Sequence, residues 1–417
     1  MQEIMRKSLL KDLNRAISIL ETREIKDIEE LKELSDHTIK DVTLYKNMDA
    51  ISLAVLIYSI YKVSPSIQPE DYKKLFQEMK NASKNLGEKQ FGRYNSSMKI
   101  MFDIIKKCSD ETKTHVQDVL QAARIKKSTT LLEHGMSVAR AAELMGISRW
   151  DILQYAGGTR LLEKHKEKVS ATTRLQQAIK IFSGQSNSKI IFFDAGPIIT
   201  LAMSRLLWIL KPLKEKFGGK FYITTAVHKE IIETPVQTKR FKFEALQVIK
   251  LIKDGIIEPY NHLSNTRIQY LAKLSNQTYK INNKPLEIIQ AGEMETVLAS
   301  LSNNKAPIIM DERTMRLLIE NGKSLKSLLE HRTKKKVDMN IDNVKKFQNE
   351  VGTITIIRSV ELAAVAFKLG ILDDYLPKSL PNPKETLLDS VLWDTKFNGS
   401  AATDNEVLEL KEFLLGR

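Results

Sequence analysis

The chain has 417 residues, a length that predicts two or three domains, and 42% of them are hydrophobic, an ordinary share for a soluble protein with a packed core. The formal net charge of +14 favours a polyanionic partner, either a nucleic acid or a membrane surface, although simple solubility would also account for it. Cys108 is the single cysteine, which excludes an internal disulfide and a cysteine-based zinc site and fits a reducing cytoplasm.

The N-terminal segment and the longest apolar run both favour a cytoplasmic location without membrane contact. The first 20 residues contain no long apolar stretch and no small-residue cleavage site of the kind that marks a signal peptide. The longest apolar run, Ile51–Val63, is shorter than the about 20 residues that a membrane-spanning helix needs. It therefore predicts a buried helix.

Residues 1–182 are predicted to be helical almost throughout, because apolar residues recur every three or four positions. Pro69–Glu70 is a typical helix start, whereas the segment Ser83–Ser97, which carries glycine and serine, predicts a loop. We therefore expect a helical bundle over residues 1–125, followed by a helix-turn-helix region over residues 126–182.

That second region has the pattern of two helices joined by a tight turn. Ser137 and Ser148 are suited to cap the two helices, and Gly146 is suited to a left-handed turn between them. If this unit reads DNA, Ser148, Arg149, Gln154 and Tyr155 would face the groove. The alternative is a helix pair that only packs, with flanking basic residues that are simply solvated.

The character of the sequence changes after Ser183–Ser188, a polar segment typical of a linker. Lys189–Phe193 is a run of bulky apolar residues, which predicts a strand buried on both faces. Further strands are predicted at Phe221–Ile223, Ile308–Met310 and Thr353–Ile357. Helical patterns alternate with these strands, so we predict an α/β domain with a mainly parallel sheet over residues 189–376. Residues 377–417 predict a helical extension that packs back on it.

Four acidic residues occupy informative places: Asp194, Glu230, Glu293 and Asp311. Asp194 and Asp311 each follow a predicted buried strand, and ligands bind where the carboxyl ends of parallel strands meet. Clustered carboxylates repel one another unless a cation is present, and such oxygen ligands suit Mg²⁺ or Mn²⁺. The alternative is that these acids cap helices or lie solvated on the surface. For Glu230 the spacing does not decide, and Glu293 at a helix start needs no function.

Residues beside the four acids extend the candidate site. Glu295 and Glu312 are further candidate metal ligands, since each lies within two residues of one of the four. Basic residues of the same region could hold the backbone of a nucleic acid: Arg313, Arg316, Lys334 and Lys335. The alternative for the lysine run is a solvated loop.

These segments, in this order, resemble the PIN domain, and more closely the nucleases of PIN-type toxin–antitoxin pairs. The resemblance is carried by DAGPIITL, TTAVHKEIIE, AGEMETVLAS and IIMDERTMRLLIEN, and it covers about Lys189–Leu376. It implies a three-layer α/β/α fold and an Mg²⁺- or Mn²⁺-dependent ribonuclease centre. It also implies that Asp194 and Asp311 are principal metal ligands, that Glu293 is the third ligand, and that Glu230 supports a ligand site or orients water.

The segment SVARAAELMGISRWDI likewise resembles the small helix-turn-helix antitoxins encoded beside PIN toxins. This resemblance implies DNA binding for autoregulation, or inhibition of the nuclease by a built-in antitoxin. We therefore predict a metal-dependent endoribonuclease that hydrolyses RNA, with DNA and a second copy of the chain as further candidate partners. The alternative is a non-catalytic, DNA-binding regulator that uses the PIN fold as a scaffold.

Overall fold

The computed structural model describes residues 3–22, 25–40, 48–65, 67–111, 117–133, 136–157, 169–238, 240–289, 291–333, 335–376 and 379–417. The chain falls into two compact units. One consists of Met1–His134 with Ala141–Ile147, and the other of Gly135–Arg140 with Ser148–Arg417. The domain boundaries predicted from the sequence remain predictions.

The first unit is helical. Its helices are α1 (Glu3–Thr22), α2 (Ile25–Lys40), α3 (Met48–Val63), α4 (Pro69–Gly87), α5 (Phe91–Glu111) and α6 (Gln117–Glu133), while α7 (Val138–Met145) lies across the division. Helix α3 is apolar on every side, and Leu53 and Ile57 in it are completely buried. The buried helix predicted at Ile51–Val63 is therefore confirmed.

The loop predicted at Ser83–Ser97 is wrong. Helix α4 continues to Gly87 and α5 begins at Phe91, so only three residues separate them. Lys89 makes the turn with a φ of 62°, in the left-handed region that glycine usually occupies. Several of the polar residues that suggested a loop, such as Lys84 and Ser96, lie exposed on the helices, whereas Leu86 and Tyr94 keep the helical spacing and are buried.

The second unit alternates helices and strands. Its first half contains α8 (Arg149–Gly157), α9 (Ala171–Lys180), β1 (Ile190–Phe193), α10 (Ala195–Met203), α11 (Leu210–Phe217), β2 (Lys220–Thr224), α12 (Thr225–His228), α13 (Thr234–Val236), α14 (Lys242–Lys253), β3 (Glu258–Tyr260) and α15 (Asn265–Asn276). Its second half contains β4 (Tyr279–Ile281), β5 (Lys284–Pro285), α16 (Ala291–Ser302), β6 (Ile308–Ile309), α17 (Arg313–Glu320), α18 (Gly322–Thr333), β7 (Asp338–Met339), α19 (Ile341–Val351), β8 (Ile356–Ile357), α20 (Ser359–Lys368), α21 (Pro383–Phe397) and α22 (Asp404–Leu415). Short 3-10 turns lie at Leu207–Ile209 and Asp373–Tyr375, and π-helical turns at Ile181–Gln185 and Lys229–Glu233.

Five strands form one sheet in the order β3-β2-β1-β6-β8, and all of their pairings are parallel. The predicted parallel sheet is therefore confirmed, although β6 and β8 are shorter than predicted. Residues 191–193 of β1 are all completely buried, so both faces of this central strand are covered. Phe193 lies in register with Ile223 of β2 and Ile309 of β6, which brings the carboxyl ends of three strands together.

The C-terminal helices belong to the same packed core. Val407 and Leu410 of α22 join the hydrophobic cluster that contains Phe193 of the central strand. The buried Arg358 guanidinium, just after β8, pairs with Glu406 of α22 at 2.9 Å. Among the described residues, no single helix is long and apolar enough to cross a bilayer; α10 and the segment Leu207–Phe217 pass that test only as a pair bent by 120°.

Candidate functional site at the carboxyl edge of the sheet

Asp194 and Asp311 lie side by side at the carboxyl ends of the neighbouring strands β1 and β6. Asp194 caps helix α10, since its Oδ2 accepts a hydrogen bond from the backbone N–H of Gly196 at 3.4 Å. A Cβ atom built on Gly196 would lie 3.5 Å from the Cβ of Asp311, 3.6 Å from Oδ2 of Asp194 and 3.8 Å from Nη2 of Arg149. Three side chains from distant parts of the sequence therefore surround the same small space.

Asp311 is held by several donors although it is only 4% exposed. Its Oδ1 accepts hydrogen bonds from the backbone N–H and the hydroxyl of Ser359, at 2.9 and 3.0 Å, and from the hydroxyl of Ser400 at 3.3 Å. Its Oδ2 accepts one from the hydroxyl of Thr200 at 3.4 Å. Burial nevertheless raises the pKa of the Asp311 carboxyl to about 6, against the opposing effect of the Ser359 hydrogen bonds.

Arg149, the first residue of α8, reaches into the same acidic site. Its Nη1 lies 2.7 Å from Oε2 of Glu230, and its Nη2 lies 3.5 Å from Oδ2 of Asp194. The Arg149 side chain is 4% exposed. Burial acts to lower its pKa, but the carboxylates of Glu230, Asp194, Glu293 and Glu312 together hold the pKa of the guanidinium above its usual value. Acids that the sequence singled out therefore surround one internal cation.

Glu230 and Glu293 reach this cluster from different elements. Glu230 lies in the π-helical turn Lys229–Glu233, which follows β2 and the single-turn helix α12. Its side chain is 27% exposed, and burial raises its pKa while the Arg149 guanidinium opposes that shift. Glu293 lies in the first turn of α16 and is 2% exposed. The Glu293 carboxylate is thus the more deeply buried of these two neighbours of Arg149.

Glu295 and Glu312 each accept a hydrogen bond from a backbone N–H, which gives each a structural role. Oε2 of Glu295 accepts a hydrogen bond from the backbone N–H of Ala226 at 2.9 Å, which ties α16 to the start of α12. The helices approach closely there, because a Cβ on Gly292 would lie 3.0 Å from the Cβ of Ala226. Glu312 caps α17 by accepting from the N–H of Thr314 at 3.2 Å, and its charge also acts on Arg149.

The arginines predicted to contact nucleic acid near Asp311 lie inside the protein. Arg313 is 2% exposed and Arg316 is completely buried. Nη1 of Arg316 donates to the backbone carbonyl of Asp311 at 3.1 Å, so it supports the strand end that carries the acid. Lys335 is exposed, and Lys334 lies outside the described residues.

Helix α8, which was predicted to read DNA, is held in place by contacts with Arg240 and Phe241. Ser148 caps α8 through Asp151, whose N–H donates to the Ser148 hydroxyl at 3.2 Å. Arg240 donates to Oδ1 of Asp151 at 3.2 Å and to Oε1 of the exposed Gln154 at 2.7 Å. Trp150 is completely buried and stacks on Phe241 with ring centroids 5.4 Å apart. These contacts fix the backbone from which Arg149 extends, and of the four predicted DNA contacts Gln154 and Tyr155 are exposed, whereas Ser148 and Arg149 are buried.

Sequence reasoning did not place Arg149 at the acids, nor did it find Thr200, Ser359 and Ser400 around Asp311. No local pattern marks these residues, since Arg149 precedes Asp194 by 45 positions and Ser400 follows Asp311 by 89. The general signal was electrostatic: buried carboxylates need a compensating charge or hydrogen bonds. The sequence predicted a metal ion in that role, which stays a prediction; the structure places a guanidinium and three hydroxyls beside the acids.

The carboxylates as arranged do not form a metal cage. Their oxygen atoms are chemically suited to Mg²⁺ or Mn²⁺, but among the described residues no three His, Cys, Asp or Glu side chains stand close enough to hold a metal ion. Both oxygens of Asp311 accept hydrogen bonds from protein donors, and Arg149 bridges Asp194 and Glu230.

Comparisons of the chain with protein-family models, curated proteins and solved structures give no match. The resemblance to the PIN domain and to helix-turn-helix antitoxins therefore stays a resemblance.

Proposed function

We propose that the second unit is an endoribonuclease that hydrolyses RNA phosphodiester bonds with the help of Mg²⁺ or Mn²⁺. The observation that carries this proposal is the gathering of Asp194, Glu230 and Glu293 around one cation at the carboxyl edge of a parallel sheet. Such edges are where open parallel sheets bind ligands. Dense carboxylates at such a place are typical of sites that hold a divalent cation.

The roles of the residues follow from their positions. Asp194, Asp311 and Glu293 would hold the metal ion, with Glu230 supporting a ligand site or orienting water, and the metal ion when bound would lower the pKa of water and stabilise charge on the phosphate. The hydrogen bonds that Ser359 donates to Oδ1 of Asp311 would orient this carboxylate, as is usual for a carboxylate that binds a metal ion. The net charge of +14 supports the choice of substrate, because positive potential attracts the RNA backbone.

We propose nucleic-acid binding by the helix-turn-helix segment as a second activity of the chain. Its support is the sequence resemblance together with a left-handed turn at Gly146, whose φ is 61°. In the second unit, Ser148 starts α8 as a cap and Gln154 presents its side chain to solvent. DNA is the partner that the resemblance implies, so a gel shift with DNA from the coding region's own promoter tests it, and an unchanged shift in Gln154→Ala would count against α8.

A non-catalytic regulator is the second candidate function. One observation favours it: Arg149 pairs with both Asp194 and Glu230, so these acids have a structural role without any metal ion. In that case the α/β unit is a scaffold and the chain acts through nucleic-acid binding alone. The two candidates differ in whether the acids support turnover.

The test is cleavage of a labelled single-stranded RNA by the purified full-length chain with Mn²⁺ or Mg²⁺. We expect metal-dependent cleavage that Asp194→Asn reduces at least about a hundredfold, the size of effect that follows loss of a central charged group. Asp254→Asn is the matched control, since Asp254 lies on the surface in an i,i+4 pair with Lys250. Arg149→Ala is assayed in parallel. If neither the wild type nor Arg149→Ala cleaves RNA, the nuclease proposal fails and the regulator remains.

A further inference from the structure

A cleft with a volume of about 340 Å³ lies between helices α4 and α5 of the first unit. This volume is within the range of about 300 to 1,000 Å³ that is typical of small-molecule sites. The short turn at Lys89 makes the two helices antiparallel, so Glu88 and Arg93 line the end of the cleft beside the turn. Asn81 and Ile100 line the far end.

The walls of the cleft are held by contacts on its outer side. Nη1 of the buried Arg6, in α1, donates to the backbone carbonyls of Leu86 and Gly87, both at 3.1 Å, and so fixes the last turn of α4. Tyr94 of α5 is 1% exposed and belongs to the core. A ligand that enters such a preformed cleft orders little of the protein, which favours binding.

The end of the cleft beside the turn is suited to a phosphate group. Lys84 and Arg93 reach it from opposite helices, and both are exposed. Nη1 of Arg93 donates to Oε1 of Gln90 at 2.9 Å, which orients a guanidinium that carries five N–H donors in all. Arg93 lies in the first turn of a 21-residue helix, and that turn contains no acid, so the positive end of the helix dipole adds to the two cations.

The rest of the cleft is suited to a ring with polar edges. The Asn81 and Asn85 amides each provide donors and an acceptor, the combination that pairs with the edge of a nucleic-acid base. Ile100 is 45% exposed and offers an apolar contact for the face of a ring. Seven residues of chain separate Glu88 from Asn81, about 10 Å along a helix, and a nucleoside with one phosphate spans such a length.

We propose that the cleft between α4 and α5 binds a nucleoside monophosphate, with the phosphate at Lys84 and Arg93 and the base at Asn81 and Ile100. The lining carries these two cations against one carboxylate, Glu88, so its net charge is positive. The site lies in the first unit and uses none of the acids of the second unit. It therefore goes beyond the nuclease proposal and does not depend on it.

The experiment measures binding of adenosine 5′-monophosphate to the full-length chain by isothermal titration calorimetry. We expect Arg93→Gln and Lys84→Gln each to weaken binding about tenfold, because each removes a charged donor to the phosphate. Lys80→Gln is the matched control, since Lys80 lies on the same helix outside the cleft and pairs with Glu21 at 2.8 Å. Adenosine and inorganic phosphate, each with half of the contacts, should bind at least about tenfold more weakly than the nucleotide. Glu88→Gln should bind the nucleotide more tightly, because it removes a repulsive charge.

Each contrary result overturns a stated part of the proposal. No binding of adenosine 5′-monophosphate at millimolar concentration, or equal binding in the wild type, Arg93→Gln and Lys84→Gln, overturns the site. Inorganic phosphate that binds as tightly as the nucleotide overturns the base end, and unchanged affinity in Glu88→Gln overturns the placement of the phosphate.

A single-stranded RNA serves as the competing ligand. If this RNA binds through Lys84 and Arg93 while adenosine 5′-monophosphate does not, the small-molecule site is overturned and the cleft is part of an RNA-binding surface. All of these readouts are equilibrium affinities, so the absence of RNA cleavage would overturn the nuclease proposal and leave this one standing.

Discussion

Replacement of Asp311 by asparagine should remove a pH-dependent cost to stability. Burial raises the pKa of Asp311 from 3.8 to about 6 in the folded chain. When the pKa of an acid is higher in the folded than in the unfolded chain, the free energy of unfolding is larger at low pH. It then decreases as the pH rises from the unfolded pKa to the folded pKa. Two pKa units correspond to about 3 kcal/mol, and about half of this loss falls between pH 5 and pH 8. The Asp311→Asn variant does not titrate and should not show that loss.

The hydrogen bonds around Asp311 are compatible with an amide. Ser359 and Ser400 can still donate to the amide oxygen, and the hydroxyl of Thr200 can turn to accept from the amide nitrogen. A weaker hydrogen bond in the variant would lower its free energy of unfolding by the same amount at pH 5 and at pH 8. The diagnostic quantity is therefore the change in the variant's relative stability between pH 5 and pH 8.

Urea unfolding followed by tryptophan fluorescence measures that quantity. The three tryptophans, Trp150, Trp208 and Trp393, all lie in the second unit, so the signal reports the unit that contains Asp311. We expect Asp311→Asn to gain about 1 to 1.5 kcal/mol relative to the wild type between pH 5 and pH 8. The surface variant Asp254→Asn should show no such gain. Parallel pH dependence in the wild type and Asp311→Asn would refute the reasoning.

Three other substitutions test contacts near the site. Arg358→Met should destabilise the second unit by about 3–5 kcal/mol in the same urea assay, because it leaves the completely buried Glu361 without its cation. Glu406→Gln, which removes only the partly exposed partner of Arg358, should cost about 1 kcal/mol, and equal losses in both variants would contradict this ranking. Glu295→Gln keeps an acceptor for the N–H of Ala226, so Mn²⁺ affinity and stability should both stay near the wild-type values. A large loss of Mn²⁺ binding in Glu295→Gln would instead make Glu295 a metal ligand, as the sequence predicted.

The strand-end acids could be predicted because their signal is local. An apolar run that ends in an aspartate identifies both the buried strand and the residue at its carboxyl end, and Asp194 and Asp311 each fit this description. Parallel pairing of β1 with β6 then brings the two together without further information. The positions of Glu230 and Glu293 are harder to predict, because each depends on which side of its helical turn faces the site. Packing between helices such as α12 and α16 decides this.

Arg149 could not be predicted at the site because its local pattern fits two environments equally well. An arginine just after a helix cap is typical of a DNA-reading helix, yet here the buried neighbour Trp150 turns the helix start towards the acids. The same limit applies to Arg313 and Arg316, whose charges suggested an exposed surface. Both are buried, and Arg316 donates to the backbone carbonyl of Asp311, a long-range contact that a sequence pattern does not reveal.

Two roles of Arg149 exclude each other, and this has a consequence for the chain as a whole. A guanidinium that is only 4% exposed beside Glu230 and Asp194 is not accessible to a base or a phosphate of DNA in that position. If α8 uses Arg149 on DNA, then DNA binding leaves Asp194 and Glu230 without their cation, which raises their affinity for metal. Linkage requires the reverse effect to be equal, so a metal ion at the acids must favour DNA binding by the same factor. Metal-dependent DNA affinity that disappears in Arg149→Ala would therefore connect the two activities through one side chain.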